Sequence, residues 1–173
     1  MMVENLQGSG EPLEEMLVQQ FKLCQSLHSL TRDERIALTK QDIPGLANLA
    51  EQKEALLDRM SQVEERRRVT VQEVAVQAGL RLDAATIADV IPVLPPQQAG
   101  RVANLREGII AISQEIRDLT GGNHALIMLG LERIDALQTF LLDLYRPTIT
   151  YQRPGSIQPN SMPELSLDVD HSR

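Results

Sequence analysis

The chain has 173 residues, enough for one domain, and 42% of them are apolar, but only 2% are aromatic and none is Trp. Most enzyme cores bury large rings, whereas Leu, Ile, Val and Ala suit narrow seams between helices, so composition points to an all-α protein. The formal net charge of −7 disfavours binding to a phosphate backbone, and the one basic run, Arg66-Arg67-Arg68, follows Glu64-Glu65, which offsets it.

Residues 1–11 carry Gly8, Ser9 and Gly10 ahead of Pro12 and read as a disordered lead-in. They have neither the basic start nor the apolar centre of a signal peptide. A first helix is predicted over about 13–40, with a stripe of Leu13, Leu17, Cys24, Leu27 and Leu38 at helical spacing. Cys24 is the single cysteine, so it has no internal disulfide partner; it reads as a small buried hydrophobe.

Asp42 is the predicted cap of a second helix, with Ile43 and Pro44 in its first turn and Gly79 as its C-terminal stop. The seam of this helix is Leu46, Leu49, Lys53, Leu56, Met60 and Val63. Lys53 is its odd member. We expect its stem to pack while the ammonium reaches solvent, the alternative being a register-setting ion pair across the seam. Residues 80–100 break the rhythm. Asp83 is placed as the cap of a short helix through Ile91, and Pro92, Pro95 and Pro96 stop and restart the chain.

A long third helix is predicted over about 97–145. Its seam is Val102, Leu105, Ile109, Ile112, Ile116, Leu119, Asn123 and Leu126, in alternating steps of three and four. Gly121-Gly122 interrupts it at about 1 kcal/mol per glycine, which implies a close approach or a kink. Asn123 lies on the seam itself, where pairing across the bundle and a grip on an extended partner both fit. Beyond it the stripe moves to Ile127, Leu131, Ile134, Leu137 and Leu141, and Met128, Leu129, Phe140, Leu142 and Leu144 make this half apolar on more than one side. Residues 146–173 hold four prolines and no periodicity, and read as a flexible tail.

The predicted architecture is therefore an elongated antiparallel helical bundle, or coiled coil, of three main helices. It has a short connecting helix, a domain over 12–145 and a disordered C-terminal tail. His28, His124 and His171 have no metal-ligand spacing, no Gly-rich loop follows a strand, and no stretch of about 20 apolar residues occurs. No catalytic residue, metal, cofactor, nucleic acid or membrane insertion is expected.

Three stretches carry a family resemblance: Asp42-Ile43-Pro44-Gly45-Leu46 on through Glu51-Gln52-Lys53 to Arg66-Arg67-Arg68; Leu119-Thr120-Gly121-Gly122-Asn123-His124 with Glu132-Arg133; and Thr150-Tyr151-Gln152-Arg153-Pro154-Gly155. In order and spacing the chain resembles the FlgN family of flagellar export chaperones. Thr120 departs from that pattern, where an Asn is frequent, while Asn123 matches it. The resemblance implies a cytoplasmic protein that holds the C-terminal helix of hook-filament junction proteins and delivers them to the flagellar export gate. By the same resemblance Tyr151 docks on the gate. Cargo would lie on Asn123, Leu126, Ile127, Leu131, Ile134, Leu137 and Leu141. A weak homodimer is compatible with the seams, and a non-catalytic coiled-coil scaffold or adaptor is the alternative reading.

Overall fold

In a computed structural model, residues 2–81 and 83–145 are described, with side chains from Gly10 onward. Four helices follow in order: α1 (Met2–Lys40), α2 (Ile43–Gln77), α3 (Ile87–Val90) and α4 (Pro96–Tyr145), with a 3-10 turn, Ile91–Val93, ahead of α4. The all-α class and the three main helices are as predicted. The first helix, however, begins at Met2 and not near Leu13, and it contains Pro12. A proline removes one amide from the helical ladder. Packing just beyond it outweighs that loss, because Leu13 and Leu17 are fully buried.

Local chemistry explains each joint. Gln41 closes α1 in the left-handed region at φ 59°, and the Asp42 amide reaches back to the Ala37 carbonyl at 2.9 Å. Asp42 then caps α2, its Oδ1 accepting from the Gly45 amide at 3.0 Å. At the far end Gly79 takes φ 76°, and the Leu80 amide donates to the Ala75 carbonyl at 2.9 Å. The expected Asp83 cap is corrected. The cap of α3 is Thr86, whose amide and hydroxyl both donate to Asp89 Oδ2, at 2.9 and 2.6 Å. These hydrogen bonds hold the Asp89 carboxyl below its ordinary pKa. The short helix ends at Val90, and Ile91 belongs to the 3-10 turn.

The two left-handed joints give a paired prediction. Gly79→Ala should destabilise the fold by about 1 kcal/mol and Gln41→Gly should stabilise it by about 0.5–1 kcal/mol. Urea denaturation measures both, and equal effects of one sign would reject the backbone explanation.

Each long helix reverses the direction of the one before it. Cross-helix pairs show this between α1 and α2: Gln20 with Glu64 at 3.1 Å, and Glu34 with Lys53 at 2.7 Å. It follows that α1 and α4 run parallel, and their pairs keep one register. Arg101 meets Glu14 at 2.6 Å, 87 residues apart. At that same offset the Phe21 ring lies against Gly108, His28 meets Glu115 at 3.3 Å, and Arg35 lies over Gly122. Successive pairs are a heptad apart, the spacing that keeps two helices face to face.

The core is densest where α1 begins and α2 ends. Leu13, Leu17, Val71, Val74, Ala75, Val90, Leu94 and Val102 form one cluster there, sealed by the connector. A smaller cluster, Leu23, Leu56 and Val63, continues along the α1–α2 seam with Leu27, Leu30 and Met60. Further along α4 the predicted seam residues Leu105, Ile109, Ile112, Ile116 and Leu119 are only half-buried. The chain divides into two units at Ile134 and Asp135. The first holds these clusters; of the second, the last stretch of α4 to Tyr145 is described.

Candidate partner-binding surface on the last helix

Asn123 is the last buried residue of α4. It is 2% exposed, and its Nδ2 donates to the Thr31 carbonyl at 2.9 Å and to Glu34 Oε2 at 2.7 Å. The same Glu34 Oε2 accepts from Lys53 Nζ at 2.7 Å. One carboxylate oxygen thus joins α1, α2 and α4. This corrects the reading of Lys53: its ammonium is paired across the α1–α2 seam and does not reach solvent alone. It also separates Asn123 from the six residues grouped with it, because its carboxamide is committed to α1 and faces inward. Sequence reasoning missed Thr31 and Glu34. Continuing the α1 stripe from Leu27 in steps of four and three reaches Thr31, Glu34 and Leu38, which was the available signal.

Gly121-Gly122 does not break α4, which is helical throughout. A Cβ on Gly122 would stand 2.8 Å from Arg35 Nη1, so the missing side chain leaves room for the Arg35 guanidinium to lie there. Nothing in the structure explains Gly121.

From His124 to Tyr145 every residue is exposed. The register of α1 against α4 puts Lys40, the last residue of α1, level with Ile127. Residues 128–134 therefore have no α1 residue alongside. Leu126, Ile127, Leu131 and Ile134 in the first unit, and Leu137 and Leu141 in the second, range from 36% exposed at Leu126 to 61% at Leu137. Met128, Leu129, Phe140, Leu142 and Leu144 are exposed as well. Single apolar residues are ordinary on a surface, whereas here Leu, Ile and Met recur at nearly every turn within each unit's share of the helix. Tyr151 and the rest of 146–173 lie outside the described residues.

Other candidate sites carry less. Burial pushes the Cys24 thiol above its ordinary pKa, partly countered by a hydrogen bond with Ser113, which is the opposite of an activated nucleophile. The basic run is engaged locally, Arg67 with Glu64 and Arg68 with Glu65 at 3.0 Å. Among the described residues no group of three or more His, Cys, Asp or Glu could hold a metal ion, and no helix is long and apolar enough to cross a membrane.

The class defined so far is an all-α bundle of three long helices, the longest of which carries exposed apolar residues from Leu126 to Tyr145. The chain belongs to the FlgN protein family, whose model matches residues 2–159. Proteins of this family are flagellar export chaperones for hook-associated proteins and are non-catalytic. The comparisons found no significant match among curated proteins or among solved structures.

Proposed function

We propose that this chaperone acts in the cytoplasm and takes the C-terminal helical region of a hook-associated, hook-filament junction protein along the exposed part of α4. Leu126, Ile127, Leu131, Ile134, Leu137 and Leu141 form the contact. Asn123 serves the site from beneath, by tying α4 to α1 through Thr31 and Glu34. The observation that carries this reading is the uninterrupted exposure of residues 124–145, rich in Leu and Ile. An amphipathic cargo helix would cover that apolar surface, which drives association, and would itself be kept from premature assembly. Release at the flagellar type III export gate then needs a reversible contact, which a half-exposed strip gives more readily than a deep groove.

Titration calorimetry with the C-terminal helical segment of a hook-associated protein tests this. Saturable binding at micromolar concentration or tighter is expected, and absence of heat or of co-migration on a sizing column would end the proposal. The free chaperone is proposed to be at most a weak homodimer. A stable oligomer in sedimentation, unchanged by cargo, would favour the scaffold reading.

Docking on the gate is assigned to Tyr151, separately from cargo. Tyr151→Ala should leave cargo affinity within about twofold and weaken capture by the cytoplasmic part of the gate at least about tenfold, the loss of one well-placed aromatic anchor. Equal loss of both activities would put Tyr151 in the cargo site.

A further inference from the structure

Just before α4 leaves the cover of α1, the space between the two helices opens into a cavity of about 510 Å³. His28, Arg32 and Arg35 of α1 line it, opposite Glu115, Asp118 and Leu119 of α4. The three α1 residues rise in steps of four and three, so they form one wall. The register of 87 residues sets Arg32 level with Leu119 and Arg35 level with Gly122. On α4 the same steps carry the line Glu115, Leu119, Gly122 on to Leu126 and Leu129, all within the first unit. Leu126 is 36% exposed and Leu129 53%, so the cavity leads along one face of the helix into uncovered apolar surface.

Both acids of the cavity are engaged. Glu115 lies 3.3 Å from His28 Nε2, and Asp118 Oδ1 accepts from Gln114 Nε2 at 3.0 Å. Neither Arg32 nor Arg35 has an acidic partner among the described residues. An exposed arginine is ordinarily solvated and contributes little. These two instead wall a concave space, and Gly122 gives Arg35 its place there, where a Cβ would meet Nη1 at 2.8 Å. Glycine in a helix interior is less stable than Ala, and what it leaves room for here is a guanidinium lying against α4. We propose that this cavity is the acid-reading end of the cargo site: the cargo helix that covers Leu126 and Leu129 extends into it and sets carboxylates against Arg32 and Arg35. The proposal rests on the cargo reading above. A guanidinium holds a carboxylate through paired N–H donors, and a pair half-enclosed between two helices is screened less than one on an open face. The leucines then supply contact area, while the two arginines select which helix lies on it and in which register. A helix with Lys or Arg at those levels is rejected by like charge.

The test titrates the C-terminal helical segment of a hook-associated protein onto the whole chaperone and its variants, at low and at high salt, with a denaturation curve for each. The double variant Arg32→Gln, Arg35→Gln should bind about tenfold more weakly at low salt and lose most of the salt dependence, with its denaturation midpoint unchanged. Ile134→Asp should weaken binding and keep the salt dependence. Gly122→Ala should raise the denaturation midpoint, because the flexible end of Arg35 can move aside, and yet weaken binding; a purely structural glycine would not give that opposition. Each acidic residue of the segment is then replaced by Lys in turn, and one of these peptides should restore binding to Arg35→Glu. Binding of the double variant within about twofold of the wild type, with the same salt dependence, overturns the proposal and leaves the apolar strip as the cargo site. A charge series in which no peptide restores Arg35→Glu does the same. A cargo-free dimer that the double variant dissociates would put a second copy of this chain in the cavity, with the same consequence. Failure of the unmodified chaperone to bind the segment at either salt removes the cargo reading itself.

Discussion

Replacing Ile134 with Asp is expected to weaken binding of the hook-associated C-terminal segment by about 30- to 1000-fold, or about 2–4 kcal/mol, without unfolding the chaperone. The asymmetry comes from where Ile134 sits before and after binding. In the free protein it is 53% exposed, at the centre of a stretch in which every residue is exposed. A carboxylate there stays hydrated and costs only a helix-propensity difference of about 0.5 kcal/mol. Under a cargo helix the same carboxylate loses water and gains no partner among Leu131, Leu137 and Leu141, so the complex alone bears the desolvation. Calorimetry gives the affinity, and far-UV circular dichroism with a denaturation curve gives the fold. Affinity kept within threefold would move the site off this strip, and a collapse of the denaturation midpoint would show that Ile134 is structural.

The second large effect concerns stability. Glu34→Leu should lower the free energy of unfolding by about 2–3 kcal/mol. Glu34 Oε2 is shared by Lys53 Nζ and Asn123 Nδ2, both at 2.7 Å. Without it the Lys53 ammonium, on a side chain only 16% exposed, loses its counter-charge. Asn123 keeps the Thr31 carbonyl alone. A buried donor without a partner costs about 1–3 kcal/mol, and an orphaned charge in a fully dry site costs more. Partial hydration of the pair keeps the sum at the stated level. Because the loss comes from stranded groups, removing them together should recover most of it. The triple variant Glu34→Leu, Lys53→Met, Asn123→Leu should unfold within about 1 kcal/mol of the wild type. A double-mutant cycle between Glu34→Leu and Lys53→Met should show coupling above about 1 kcal/mol; coupling below about 0.3 kcal/mol would mean that the two groups act independently.

The node also shows why part of the site was hidden in the sequence. Lys53 and Asn123 each stood out as a polar member of an apolar seam, one on α2 and one on α4. Glu34 did not, because on α1 it follows Arg32 and Asp33 and precedes Arg35, and the four together read as a solvated patch. Periodicity says which residues of one helix share a face. It does not say which residues of two helices share a level, and the level is what converts three isolated polar residues into one hydrogen-bonded group. The cap of α3 was misplaced for a related reason. Asp83 and Thr86 are both competent caps, and the choice fell to Thr86 because Asp89 lies one turn on and accepts from it twice.

What the chain specified by itself is substantial. Spacing in steps of three and four set three long helices, and the turn chemistry of Asp42 and Gly79 set where α2 starts and stops. Composition alone shortened the list of folds to helical ones. The family pattern was readable too, since it lies in local runs. Tertiary structure decided the rest: the parallel register of α1 with α4, the inward turn of Asn123, the helical start of α1 despite Pro12, and above all which apolar residues remain uncovered. An apolar stripe looks the same in sequence whether a neighbour lies against it or not. Burial is a property of pairs of surfaces, and the end of α1, level with Ile127, leaves residues 128–134 without a neighbour from that helix.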